Sequence, residues 1–414
     1  MIKIGVFGTG RGMSIAKNFM LLGCEIVALC DFHKERMEKA AAQLDKSVAI
    51  YEDFDAFLQH DMDAVILANY FHEHAPFAIK CFERNLHVYS ECISNGTMAE
   101  GVALIRAFEK SSSIYMLAEN YPQMLTNREL KRLCDSGTLG KILYAEGEYN
   151  HPVGAMDIAF KKQYTYFPSH WRNFLPRTYY ITHSLGPVMW ATGATPQKVT
   201  AMAAFAPNCE DVPEASHVGD RAAVIMTQND DGSIFRVTGC AAFGGHHNAY
   251  RICGTEGQIE NLRGMGNQVM LRYNAWSKPA DAQEINLYTP KWNDQDEALI
   301  KDSGHGGSDF LTARMFVECI RNGTQPEHPF HIHAAVNMSS VAILSHRSML
   351  EGGVPYEIPD FHQEAARVQY ENDWLSPIPT TWNPEPTQPC CSHPDHKPTQ
   401  KQMALYKEAL DIKD

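Results

Sequence analysis

Tyr180 and His183 stand three residues apart in RTYYITHSLGPVMW (177–190), a largely apolar stretch. An imidazole titrates at roughly 6.5 and a phenol at about 10, so His183 is the natural base and Tyr180 a donor or tuned partner. A spacing of three puts both on one face if the segment is helical. Taken alone, they read equally well as aromatics packed under a Gly-Pro stop. Three other segments change that balance: AEGEYNH (145–151) carries Tyr149, SHWRNF (169–174) carries Arg172, and AYRICGTEG (249–257) carries Tyr250. Phenols and a guanidinium are the groups that hold a neutral pyranose through its hydroxyls. GHGGSDF adds His305 as a further substrate-binding candidate, with Asp309 suited to support a first helical turn. His246 and His247 read as loop residues. CCSHPDH near the C-terminus has metal-ligand residue types but no second ligand pair at a recognised spacing, so no metal is expected.

A sugar hydroxyl that loses its proton to a base can also be oxidised if a nicotinamide lies beside it. GVFGTGRGMS (5–14) supplies a phosphate cradle: Gly8 and Gly10 permit a tight turn and close approach of a pyrophosphate to a helix N-terminus. Gly12 comes one place before the usual third small residue, where this chain has Met13; Arg11 lies within the turn. Asp31 ends the second strand pattern about twenty residues on, where a carboxylate holds both ribose hydroxyls. Phe32 and His33 follow it rather than an arginine, which favours NAD over NADP. Further cofactor contacts are expected from strand-end loops: Asn69, His72 and His74 in ANYFHEHAPFAIKCF, Glu91 in HVYSECISNG, and Asn120 in LAENY.

The elements that must position these groups fall into two textures. IKIGVFG, EIVALCD, DAVILAN, LHVYSE and IYMLAEN read as strands buried on both faces, alternating with amphipathic helices. This predicts a doubly wound, parallel Rossmann domain over 1–122. After Asn120, a helix from Leu125 to Ser136 precedes strand-like runs at KILYAEGEYN, QKVTAMAAFA, RAAVIMTQN, SIFRVTGCAA and AYRICGTEG, with DDGS as a hairpin turn. An α+β substrate and oligomerisation domain with a large, mainly antiparallel open sheet is expected over 123–360. A Pro-rich, extended arm is expected over 361–414. The fold class is therefore α/β with a second α+β unit. The 414 residues are 44% hydrophobic, with a formal net charge of -13, which argues against nucleic-acid or anionic-membrane partners. Eleven scattered cysteines and a start directly on a strand pattern point to a reduced, cytoplasmic protein.

At His74 and Glu91 the chain resembles the glucose–fructose oxidoreductase, inositol dehydrogenase and MocA family. There, Glu-Lys-Pro follows the strand; Cys92 and Ile93 replace the Lys and Pro here. In the simple dehydrogenases of that family the lysine helps bind substrate and manage its proton, so its absence argues against a routine dehydrogenase. Tyr149, Arg172, Tyr180, His183 and Tyr250, with the segment around His305, resemble the NAD-dependent glycosidases of glycoside hydrolase family 109. That branch carries Gly-x-Tyr-x-His, Trp-Arg and Tyr-Pro-Thr-His followed by Gly-Leu-Gly-Pro-Val, and also lacks the lysine. Asn120 matches its cofactor-contacting asparagine. The resemblance runs to about residue 350; no export signal is expected here, and the Cys-Cys arm is a departure.

The resemblance implies hydrolysis of a hexopyranoside by C3 oxidation, C1–C2 elimination, water addition and re-reduction with recycled NAD. His183, Tyr180 and Tyr149 would be catalytic, and Arg172, Tyr250 and His305 would bind substrate. A pyranoside 3-dehydrogenase releasing a 3-keto sugar is the alternative, and a non-catalytic sugar and NAD sensor a third. The family habit of pairing through the open sheet suggests a homodimer or homotetramer.

Overall fold

The computed structural model describes every residue except 45, 46, 155, 381, 382, 413 and 414, so two positions of the Pro-rich stretch lie outside the described residues. The first unit runs β1 (Lys3–Phe7), α1 (Arg11–Leu21), β2 (Glu25–Cys30), α2 (Lys34–Ala41), β3 (Ala49–Tyr51), α3 (Phe54–Phe57), β4 (Ala64–Leu67), α4 (His74–Glu83), β5 (His87–Ser90), α5 (Met98–Phe108) and β6 (Tyr115–Leu117). Its strands are parallel, in the order β3-β2-β1-β4-β5-β6. The order reverses between β1 and β4, which opens a crevice at their carboxyl ends. Continuous apolar strands such as AVIL in β4 are buried throughout because helices cover both faces. The edge strand β3 has only three residues, too few to show a period in the sequence.

The second unit continues with α6 (Leu125–Asp135), β7 (Ile142–Asn150), α7 (Ile158–Tyr164), α8 (Thr182–Thr192), β8 (Pro196–Phe205), β9 (Asp220–Asn229), β10 (Ile234–Ala241), β11 (His247–Gly254), β12 (Gly257–Asn261), β13 (Val269–Tyr273) and β14 (Ile285–Tyr288). Then come α9 (Glu297–Asp302), α10 (Ser308–Asn322), α11 (Ile332–Leu350), β15 (Tyr356–Glu357), α12 (Glu364–Arg367) and α13 (Gln400–Leu410). Nine strands form one sheet, ordered β14-β13-β12-β11-β7-β10-β9-β8-β15. Only β7 and β10 pair in parallel, so the sheet is mixed but mainly antiparallel. The hairpin at 229–233 turns through Gly232 at a φ of +84°, as DDGS suggests.

Helix α8 lies across β7, β10 and β11. Gly147 of β7 permits this approach, because a Cβ there would collide with the Ser184 carbonyl. The C-terminal segment differs from the extended arm expected of it. It ends in α13, started by a capping box in which Thr399 and Gln402 satisfy each other's backbone N–H groups, and α13 packs on α7.

Candidate active site

The cofactor end of the crevice begins at Gly8, whose φ of +91° and approach to the Ala68 carbonyl leave no room for a side chain. The turn delivers α1, whose N-cap Gly10 makes no side-chain hydrogen bond, so first-turn N–H groups remain open to an anion. Beside a Gly10 Cβ position only Arg36 approaches, at 3.8 Å. Gly12 packs the helix against Val6 and Ala68. Asp31 directly follows β2, with its carboxylate fixed by Thr9 N at 2.7 Å, Thr9 Oγ1 at 2.8 Å and His33 N at 3.0 Å. Asn69 donates to the Glu73 carbonyl at 3.0 Å, while its buried Oδ1 has no partner among the described residues. A glycine cradle, an open helix start and an orphaned amide oxygen fit NAD, whose phosphates and amide offer the missing partners.

His74 is buried, and burial pushes its imidazole below the usual range; its Nδ1 donates to Ile93 O at 2.8 Å. It lines the crevice as a neutral ring. His72 does not line it. Its Nε2 meets the Pro379 carbonyl at 2.7 Å, and burial depresses its pKa to about 3. The expected cofactor contact is therefore corrected: His72 ties the β4 loop to the C-terminal segment.

Arg11 joins the two units. Its Nε donates to Glu91 at 3.0 Å, and Nη1 and Nη2 grip Asp309 at 2.9 and 2.7 Å. Burial opposes the Arg11 charge, but the two carboxylates outweigh it and hold the guanidinium protonated. Asp309 also accepts from Asn120 Nδ2 at 2.7 Å and meets His305 Nδ1 at 3.0 Å. Asp309 thus organises a network as well as standing in the first turn of α10. His305, at a φ of +54°, faces the cavity half-exposed.

Next to this junction lies a proton relay. His183, in the first turn of α8, presents Nδ1 to both oxygens of Glu119, at 2.9 and 3.0 Å, and Nε2 to the Tyr180 hydroxyl at 3.1 Å. Glu119 is fully buried. Burial pulls its carboxyl upward, but the His183 ring and the Tyr121 N–H outweigh that and hold it below its usual value. An ionised Glu119 requires the proton on Nδ1, leaving Nε2 to accept from Tyr180. Tyr121 stacks on the imidazole with centroids 3.9 Å apart, and Tyr149 meets it edge-on at 4.9 Å. Burial raises Tyr180 and Tyr149 well above ordinary phenols, so both are donors at rest. Sequence reading missed Glu119 entirely. The condition that the segment be helical through both residues is met only at His183: α8 starts at Thr182, and Tyr180 stands in the turn before it.

Tyr250 likewise needs correction as a substrate ligand. It is buried outside the cavity lining, and its hydroxyl donates to the His183 carbonyl at 2.5 Å. Pro187, four residues along α8, has no N–H to take that carbonyl, so the phenol replaces a helical hydrogen bond. Cys92 occupies the place of the family's lysine. Its Sγ donates to Glu119 at 3.3 Å, and burial keeps the thiol neutral.

These groups open into one cavity of about 680 Å³, lined by Arg11, Asn69, His74, Glu91, Cys92 and Asn120 on one side and Tyr149, Arg172, Tyr180 and His183 on the other. Arg172 stacks over Trp171, its guanidinium carbon 4.6 Å from the ring centre. A ring hydroxyl beside Tyr180 would have an acceptor route through Nε2 to a stabilised imidazolium.

Residues 129–367 match the family described as glycosyl hydrolase 109, C-terminal domain, and residues 2–119 match the oxidoreductase family, NAD-binding Rossmann fold. The chain is 25% identical over 398 residues to a glycosyl hydrolase family 109 protein of Solibacter usitatus, covering 87% of this chain and 88% of that one. It is 24% identical over 403 residues to glycosyl hydrolase family 109 protein 1 of Phocaeicola vulgatus, with 87% and 84% covered. Its fold is similar to that of levoglucosan dehydrogenase in complex with NADH and levoglucosan, with a TM-score of 0.71 at 18% identity, over 86% of this chain and 99% of that one. It is also similar to myo-inositol 2-dehydrogenase from Lactobacillus plantarum, with a TM-score of 0.64 at 18% identity and the same coverage. No described helix is long and apolar enough to cross a membrane. With its NAD-binding Rossmann domain set in front of the matched C-terminal domain, the chain belongs to the glycosyl hydrolase 109 family of the Gfo/Idh/MocA oxidoreductases.

Proposed function

We propose that the protein hydrolyses a hexopyranoside with recycled NAD, which when bound supplies transient oxidation at ring C3 and the closing re-reduction around C1–C2 elimination and water addition. The observation that carries this reading is the Glu119–His183–Tyr180 relay opening onto the cavity that Arg11, Glu91 and Asn120 line from the cofactor side. Tyr180 touches the sugar hydroxyl and passes its proton to His183 Nε2; Glu119 holds the ring in the required tautomer and stabilises the imidazolium. Tyr149 and Arg172 donate to sugar oxygens and orient the ring. His74, Asn69 and Asn120 meet the cofactor, with Gly8, Gly10, Gly12 and Asp31 shaping its phosphate and ribose seat.

The neutral thiol of Cys92 favours hydrolysis over the simple dehydrogenase alternative. A lysine there would bring a cation against Glu119, whereas the thiol adds only a neutral hydrogen bond to a carboxylate that still holds His183. Aryl hexopyranosides incubated with the purified protein and no added NAD test the reading. Aglycone release without net NADH, with C2 deuterium lost to solvent, is expected; stoichiometric NADH with the aglycone still attached would establish the dehydrogenase instead. The open face of the large sheet, with Met202, Val224 and Met226 exposed, supports pairing with a second copy, which light scattering would measure.

A further inference from the structure

The cavity continues beyond the relay into a chamber walled by α7, the start of β9 and the C-terminal segment, whose His396, Gln402 and Tyr406 line it. Four cations line this end of the cavity: Lys161, Arg172, Arg177 and Arg221. Among the described residues Glu214 is the one carboxylate lining it there, and its oxygens are taken by the N–H groups of Ala215 and Ser216 and by Asn208.

None of the four cations has an ion-pair partner among the described residues. Neutral acceptors hold them in place instead. Lys161 donates to the Pro213 carbonyl and lies 5.8 Å from the Tyr406 ring centre. Arg177 donates to Asp220 O at 3.0 Å and Cys240 O at 3.2 Å. Arg221 donates to Ala206 O at 2.7 Å and to Asn208. Arg172 rests on Trp171, and its guanidinium makes no hydrogen bond among the described residues. Carbonyls and rings fix direction without cancelling charge, so the chamber keeps a positive field on donors that still have N–H groups to give. Four cations gathered in one chamber against a single carboxylate are costly. Burial disfavours the charges of Arg221 and Lys161, Arg177 adds to this at Arg221 and Arg221 adds to it at Lys161, and the Glu214 carboxylate offsets it only in part. An arriving anion offsets that cost and gains charge-assisted hydrogen bonds.

We infer that this chamber is a subsite for an anionic group on the glycoside, a carboxylate, sulfate or phosphate carried away from the cofactor. The inference rests on the reading that the cavity holds a glycoside, and it sets the substrate class apart from a neutral sugar. The C-terminal segment is part of the subsite. Ser392 binds the Asp220 side chain through its N–H at 2.8 Å and through its hydroxyl, and so steadies the strand start that carries both the Arg177 acceptor and Arg221.

Calorimetric titration of the NAD-loaded, full-length protein with matched glycosides tests it. Each hexose is offered as a neutral 4-nitrophenyl glycoside, a 4-carboxyphenyl glycoside (charge on the aglycone) and a methyl uronide (charge on the ring). One charged series is expected to bind about tenfold tighter than its neutral counterpart, equivalent to roughly one charge-assisted contact. Which series does so places the anion. The preference is expected to shrink as salt rises to about 0.5 M, a measure that needs no variant. It is also expected to fall toward unity in Arg221→Gln and Lys161→Gln. Equal binding of charged and neutral glycosides at low salt would overturn the inference while leaving the proposed hydrolysis standing. An anion preference without any bond cleavage would uphold the inference and remove the hydrolase reading.

Discussion

Glu119 grips the Nδ1–H of His183 with both carboxylate oxygens, at 2.9 and 3.0 Å, although the residues are sixty-four positions apart and belong to different units. The pair fixes both the tautomer and the ring plane, as a carboxylate does for the histidine of a serine hydrolase. Glu119→Gln keeps the shape but presents an amide that can donate as well as accept. Turnover is expected to fall by about 10²–10⁴-fold, at the scale seen when such a carboxylate is neutralised. Steady-state kinetics, with a melting curve to confirm folding, check this.

Tyr250 separates two roles by a single oxygen. Tyr250→Phe leaves the His183 carbonyl without a donor, since Pro187 cannot supply one, at a cost of roughly 1–3 kcal/mol. A lower melting temperature and a reduced kcat with little change in KM are expected. A substrate tyrosine would instead show mainly a raised KM.

Acid should weaken the fold through Glu119 and Asp309. Both carboxyls lie below their usual values in the folded chain: burial acts upward on each, and His183 for Glu119, or His305 and Arg11 for Asp309, outweigh it. A depressed folded-state pKa contributes stability in full above the unfolded carboxyl range of about 4, and that contribution is lost as pH falls through the folded value. Urea midpoints measured from pH 7 to pH 3 should drop below about pH 4. The drop should be shallower in Glu119→Gln, which lacks one of the two groups.

Thiol reagents should leave the enzyme active. Burial raises Cys92 far above an ordinary thiol, and its S–H donates to Glu119, whereas Cys209 is exposed. Peptide mapping after brief iodoacetamide treatment at pH 7.5 should find Cys209 modified and turnover unchanged. Modification of Cys92 with loss of turnover would contradict the geometry.

The Rossmann half was legible because its strands are continuous apolar runs and its glycine turn is local in sequence. Tyr149, Arg172, Tyr180, His183 and His305 were legible as a set of residue types, and the structure brings them to one cavity. Glu119 was not, since a lone acid after a strand looks solvated until its distant partner is known. The placement of Tyr250 depended on the missing N–H of Pro187, a relationship across two elements that no window of sequence contains. Strands β12, β13 and β14 are short and carry mixed polar residues, and α13 was hidden by the prolines before it even though Thr399 and Gln402 announce its start.

Arg11 clasps Asp309 from the first turn of α1, and Asn120 reaches the same carboxylate from the boundary between the units. The two halves of this chain are therefore not interchangeable parts. A chimera that joins this nucleotide-binding half to a foreign catalytic half leaves Arg11 with Glu91 alone, and the reverse exchange leaves Asp309 with His305 alone, unless positions 11 and 309 travel together, so specificity is better redesigned inside one half than by exchanging them.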